Sequence, residues 1–151
     1  MTVPELDQRM NFTKAAPKVF KAMIALDTAA RAGLDPTLID LVQIRASQLN
    51  HCAYCIDMHT KEARKAGESE ERIYQLNAWR AAGLFTAKEK AALGLTEAAT
   101  TLADGEVPDA VYAEAARHFE EPELAQLIAL IFTVNAWNRI AVPTRKIPGT
   151  E

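Results

Sequence analysis

Cysteine, glycine and proline are all scarce: 151 residues hold two Cys, six Gly and seven Pro. Two thiols exclude the disulfide framework that staples small secreted domains. A chain of this length needs none, since it can bury roughly 68–70% of its unfolded surface. Aromatic residues make up 7%, the net charge is −3, and no basic block is present. The Lys/Arg stripe with interleaved aromatics that marks a nucleic-acid surface is therefore missing, and nucleic acid is not an expected partner. The opening stretch MTVPELDQRMNF is polar and carries acids, so no secretory leader is expected. The longest apolar run, near Leu127–Val134, reads as too short and too interrupted to span a bilayer, and no membrane partner is expected. The cytoplasm, where thiols stay reduced, is the expected location. No segment alternates in the manner of a strand, and strand-favouring residues are thin.

Alanine and helix punctuation are abundant. An apolar stripe of Val19, Phe20, Met23, Ile24 and Leu26 predicts a helix over about 13–31, stopped by Gly33. Asp35-Pro36 reads as an N-cap followed by proline in the first turn. It opens a helix through Leu38, Leu41, Val42, Ile44 and Leu49 that breaks at Asn50-His51. A third helix is predicted from about Cys52 to Gly67, and a fourth from Ser69 through Ile73, Leu76 and Trp79 to Gly83. Thr86 and Glu89 form a capping box for a fifth helix that ends near Gly105. Pro108 opens a sixth helix. Pro122 opens a seventh, reaching Ile140, with a frayed tail from Pro143. The expected fold is all-α, a bundle of six to seven helices, in one domain spanning 1–151 with a core motif at about 35–85. The last helix, LAQLIALIFTVNAW, is apolar on more than one side. A surface helix shows one stripe, so the second side is expected to meet another subunit, with a central helix inside a monomer as the alternative.

Chemistry concentrates in SQLNHCAYCIDMH, residues 47–59. On a helix, positions 52, 55 and 59 lie three and four apart and share a face, which brings Cys52, Cys55 and His59 together. Unpaired N–H groups at a helix start favour a thiolate, an imidazole can take the thiol proton, and a second cysteine can trap an oxidised first one as a disulfide. Zinc competes for the same residues, but a structural zinc usually takes four ligands and His51 adjoins Cys52 awkwardly. Two inert buried thiols are the third reading. Asp40, twelve residues before Cys52, serves equally as a solvated carboxylate suited to the first turn of its helix or as a proton acceptor for the site. His118 reads as structural, Trp79 and Trp137 as packing residues, and Glu62, Arg64 and Lys65 as a solvated face. No metal and no cofactor is expected, because no flavin, haem or nucleotide motif is present.

The segment LIDLVQIRASQLNHCAYCIDMHTKEARKAG resembles the core of the alkylhydroperoxidase D-like proteins of the carboxymuconolactone decarboxylase superfamily. NAWRAAGLFTAKEKAALGLTEAATTL and LIALIFTVNAWNRIAV resemble the regions that follow it. The resemblance covers about Asp35 to Val142. It implies an all-α subunit that assembles as a homotrimer or homohexamer and reduces a hydroperoxide substrate through a cysteine pair. Cys55 would be the peroxidatic thiol, Cys52 the resolving one, and His59 part of a proton relay. Asp40 falls where the family's relay glutamate is expected and is one methylene shorter. Electrons would come from an external dithiol or a lipoyl-type reductant protein. Disulfide exchange without peroxidase activity and, less favoured, lactone decarboxylation are the alternatives on the same scaffold.

Overall fold

A computed structural model describes residues 2–150, and among them no strand occurs. Eight helices follow in order: α1 (Phe12–Ala15), α2 (Pro17–Arg31), α3 (Pro36–Leu49), α4 (Ala53–Lys65), α5 (Glu70–Tyr74), α6 (Ala87–Thr100), α7 (Asp109–His118) and α8 (Glu121–Thr144). Short 3-10 turns at Leu76–Ala78 and Leu102–Asp104 complete the chain. The all-α expectation holds.

The cap signals act as the sequence predicts. Asp35 accepts from the Thr37 N–H at 3.0 Å and Ser69 from that of Arg72 at 3.1 Å. The Thr86–Glu89 box closes in both directions, at 3.1 and 2.8 Å. Three boundaries differ from expectation. The first predicted helix is two helices, because Pro17 disfavours helical geometry at the residue before it and Ala16 sits at φ −132°, ψ 64°. The fourth predicted helix ends at Tyr74. Leu76, Trp79, Ala82 and Phe85 are all buried, and their spacing of three suits a 3-10 turn and successive tight turns better than a 3.6-residue helix. The tail expected to fray is capped instead. Arg145 adopts the left-handed region (φ 51°), its N–H bonds Val142 O at 3.2 Å, and the Lys146 N–H bonds Ala141 O at 2.9 Å. That is the Schellman closure of a helix end.

α3 is the axis of the bundle. Eight of its fourteen residues are buried, and its two apolar sides serve separate clusters. Leu38, Ile39 and Val42 pack with Leu95, Phe119, Leu127 and Ile131, while Leu41 and Ile44 pack with Leu76, Trp79, Phe85 and Leu93. α8, at 24 residues, has the length and composition to cross a membrane. It runs further than the apolar stretch near Leu127–Val134 suggested. Here it is a core helix, with Leu124, Leu127, Leu130, Ile131 and Val134 buried. Its other side leaves Ile128 39% and Phe132 51% exposed.

Candidate active site

The turn between α3 and α4 sets the site. His51 takes a left-handed φ of 57°, which lets the Cys52 N–H fold back onto Ser47 O at 3.0 Å. Asn50 pins the turn to α8: its Nδ2 donates to Asn135 Oδ1 at 2.9 Å and to Asn138 Oδ1 at 2.8 Å. Asn138 in turn donates to Ser47 Oγ at 3.1 Å, and that hydroxyl donates to Gln43 O at 2.7 Å. Buried polar groups satisfied in such a chain favour one arrangement of the elements that carry them.

Cys52 is the N-cap of α4, and its sulfur accepts from the Cys55 N–H at 3.3 Å. The two cysteines are joined as a disulfide, with Cα atoms 5.2 Å apart. Both are buried, but their surroundings differ. Both pack with Ala141, but of the two only Cys55 forms part of the wall of a cavity of about 270 Å3. Met58 and His59 of α4, Phe20 of α2, Trp137 and Ile140 of α8, and Phe12 of α1 are also part of that wall. The segment ahead of α1 closes one side, tied to the end of α8 by the Arg9 N–H on Thr144 O at 2.9 Å.

His59 lies one turn beyond Cys55 and is 3% exposed. Neither ring nitrogen has a hydrogen-bond partner. Burial pushes its pKa down to about 4, the Arg31 cation adds to the shift, and Asp27 opposes it. The ring is therefore neutral at pH 7, with one nitrogen free to accept a proton. Glu62 Oε2 stands 3.8 Å from Nδ1, beyond hydrogen-bond range, and with the ring neutral the contact is not an ion pair.

Asp40 is half-buried on α3 and is not among the residues that form the cavity. Its pKa is raised to about 6, by burial first and then by the Glu62 charge, with Arg31 opposing and Glu68 adding. Of the four predicted site residues, Cys55 and His59 thus share the cavity wall, Cys52 lies behind it, and Asp40 is coupled to it through Glu62. His51 is exposed, and no three His, Cys, Asp or Glu side chains among the described residues group as for a metal.

Several contributors carried no sequence signal as site residues. Trp137, read as packing, does stack edge-on with Phe20 at 5.7 Å, but its Nε1 also donates to Asp27 at 3.1 Å. Glu62, read as part of a solvated face, borders the cavity. Arg31 reaches it from α2, held by Asp27 at 2.7 Å. The N-x-x-N spacing of Asn135 and Asn138 on one face of α8 was the legible trace of the turn-holding network.

Comparison with known proteins places this geometry among relatives. The profile of the carboxymuconolactone decarboxylase family matches residues 17–98. The uncharacterized protein YdfG of Bacillus subtilis is 39% identical over 138 residues, 91% of this chain and 94% of YdfG. The crystal structure of ATU0492 from Agrobacterium tumefaciens, a protein of unknown function whose name links it to antioxidant defence and AhpD, is 38% identical. It superposes with a TM-score of 0.92 over 96% of this chain and all of that one. The debrominase Bmp8, 17% identical with a TM-score of 0.82 over 91% of this chain and 75% of that one, shares the fold alone.

Proposed function

The chain belongs to the carboxymuconolactone decarboxylase family, as an AhpD-like member, and from that premise we propose that it is a thiol-dependent peroxidase acting on organic hydroperoxides. The observation that carries this reading is the asymmetry of the pair: Cys55 borders the cavity beside a neutral, unpartnered His59 while Cys52 waits behind it. In the proposed cycle His59 takes the Cys55 proton. The thiolate attacks one peroxide oxygen, the O–O bond breaks, and the electron pair leaves on the alkoxide, which is protonated to the alcohol. Cys55 becomes a sulfenic acid, and Cys52 condenses with it to give the disulfide and water. An external dithiol, carried by a lipoyl-type reductant protein in the cytoplasm, restores both thiols by exchange. Asp40, held near neutrality, is the proposed proton store behind His59. We further propose that Ile128 and Phe132 meet a second copy of the chain in a homotrimer or homohexamer.

A thiol count with intact mass, before and after one equivalent of cumene hydroperoxide on reduced protein, tests the cycle. Loss of both thiols and of two hydrogens, with the peroxide consumed, is expected. Unchanged thiols would remove the peroxidase reading. Disulfide exchange alone is the second reading, favoured by the lack of any carboxylate within hydrogen-bond reach of His59. It predicts fast exchange with dithiols and a slow reaction with hydroperoxides.

A further inference from the structure

Arg31 borders the same cavity as Cys55 and His59, and the redox cycle gives it no task. Its Nε donates to Asp27 Oδ2 at 2.7 Å, and Asp27 is held from its other oxygen by Trp137 Nε1 at 3.1 Å. The guanidinium is thus fixed along one edge by a carboxylate that is itself anchored. Among the described residues nothing accepts from its two terminal nitrogens, Nη1 and Nη2. A guanidinium offers five N–H donors in a planar fork, so four remain, in the arrangement that pairs best with a carboxylate.

His59 supplies an independent sign that a ligand belongs here. A buried polar group left without a partner is unfavourable, and both ring nitrogens are in that state. A ligand O–H at this end would satisfy one of them. The wall that Arg31 and His59 share also carries the apolar and aromatic side chains of Phe20, Met58 and Trp137. The cavity, about 270 Å3, is small beside the roughly 300–1,000 Å3 of ligand pockets in general, so the ligand body is compact. Glu62 stands next to His59 and repels an anion there. Asp27 also lines the cavity, but its oxygens are taken by Arg31 Nε and Trp137 Nε1, so a carboxylate is received at the free Nη groups of Arg31. The other cation at the rim, Lys146, rests its ammonium 4.2 Å over the Tyr54 ring and offers no fork.

We propose that the cavity takes a compact, apolar or aromatic organic hydroperoxide that carries a carboxylate. The carboxylate is gripped by the Nη groups of Arg31, and the hydroperoxide lies at Cys55 and His59. The reacting end rests on the peroxidase reading; the grip on the acid does not. The Cys55 thiolate takes one peroxide oxygen and becomes the sulfenic acid, and the other oxygen leaves with the bonding pair and a proton as the hydroxyl of a hydroxy acid. The carboxylate is unchanged.

Calorimetric titration of 3-phenylpropanoate and 3-phenylpropanol into the reduced native protein tests the grip without any redox step. The acid is expected to bind at least about tenfold more tightly than the alcohol, the difference of one charge-assisted hydrogen-bonded contact. Arg31→Met should bring the acid down to the alcohol, Arg31→Lys should fall between, and Lys146→Met should keep the preference. Equal affinities, no binding of the acid, or a preference that survives Arg31→Met would overturn the proposal. Turnover then separates the two readings. The kcat/KM ratio of a carboxylate-bearing hydroperoxide to cumene hydroperoxide should fall about tenfold in Arg31→Met. Acid binding lost in Arg31→Met, with no hydroperoxide consumed by the native protein, would support the carboxylate grip and sink the peroxidase reading.

Discussion

Two groups of titratable side chains in this fold are held in opposite ways. Between α5 and α6, Arg72 donates to Glu89 at 2.6 and 3.0 Å, to Glu68 at 2.8 Å and to Leu84 O at 2.7 Å. Nearby, Glu97 accepts from Arg45 at 2.8 Å and from Trp79 at 3.1 Å. Burial alone would raise the pKa of Glu89 and Glu97, yet the donors around them outweigh it and hold both below the usual value. Around Cys55 the balance is reversed. His59 is pushed down and Asp40 up, each towards its neutral form, and His59 has no partner at all. The first region is built to keep its charges. The second is built to let protons come and go, which is the condition expected where chemistry is done.

The comparison breaks most visibly at Cys55. Cys55→Ser is expected to abolish hydroperoxide consumption, a loss of more than about a thousandfold by stopped-flow measurement. Cys52→Ser should still consume one equivalent and stop as a sulfenic acid detectable by mass. Arg72→Ala should leave the native reaction rate almost untouched. A Cys55→Ser protein that keeps consuming peroxide would place the chemistry elsewhere.

The next effect separates activity from stability. His59→Leu should slow the reaction by about 10²–10⁴-fold, the usual worth of a positioned acid or base. It gives up no hydrogen bond, so unfolding at pH 7 should move by less than about 1 kcal/mol. The folded pKa of about 4 lies below the ordinary 6.5, so the unfolded chain binds the extra proton. Stability from this residue is complete above pH 6.5 and is lost as pH falls towards 4. The leucine variant lacks that loss, and its Tm relative to the native chain should rise between pH 7 and pH 5. A constant difference would contradict a buried neutral imidazole. Arg72→Ala is the converse experiment. With Glu68 and Glu89 left partly buried and unpaired, it should cost about 3 kcal/mol in urea unfolding and little in thiol reactivity. An unchanged urea midpoint would mean that the network is ornamental.

The two regions also differed in how far the sequence disclosed them. Cys52, Cys55 and His59 were legible because helical spacing alone puts them on one face. The caps at Asp35, Ser69 and Thr86 were legible because their partners lie within three residues. The break at Pro17 follows from the rule for residues before proline, but the apolar stripe that predicted the first helix begins only at Val19 and does not locate the start of that helix. Arg31, Asp27 and Trp137 were not legible. Asp27 and Trp137 stand 110 positions apart, and only the packing of α2 on α8 gives them a common cavity. The split of the fourth predicted helix depended likewise on which core Leu76 and Phe85 had to reach.

Asp40 is where the comparison gives its smallest and most diagnostic effect. Its folded pKa of about 6 exceeds the unfolded 3.8, so the native state binds the extra proton between those values. The contribution is fully present below about pH 4 and is lost as pH rises through 6, after which a poorly solvated charge weighs on the fold. Asp40→Asn removes that charge. With the solvent around a half-buried group discounted, it should stabilise the protein at pH 8 by about 1 kcal/mol, or about 2–4 °C in Tm for a chain of this size. At pH 4, where the native carboxyl is itself protonated, the two should melt together. A relay role makes a separate demand, that peroxide turnover by Asp40→Asn fall by about tenfold or more at pH 7. Stabilisation without that fall would leave Asp40 a poorly solvated carboxylate in a packed helix, with water rather than Asp40 exchanging protons with His59. A Tm difference equal at both pH values would show that the charge is no burden and would assign Asp40 to the charge-keeping region.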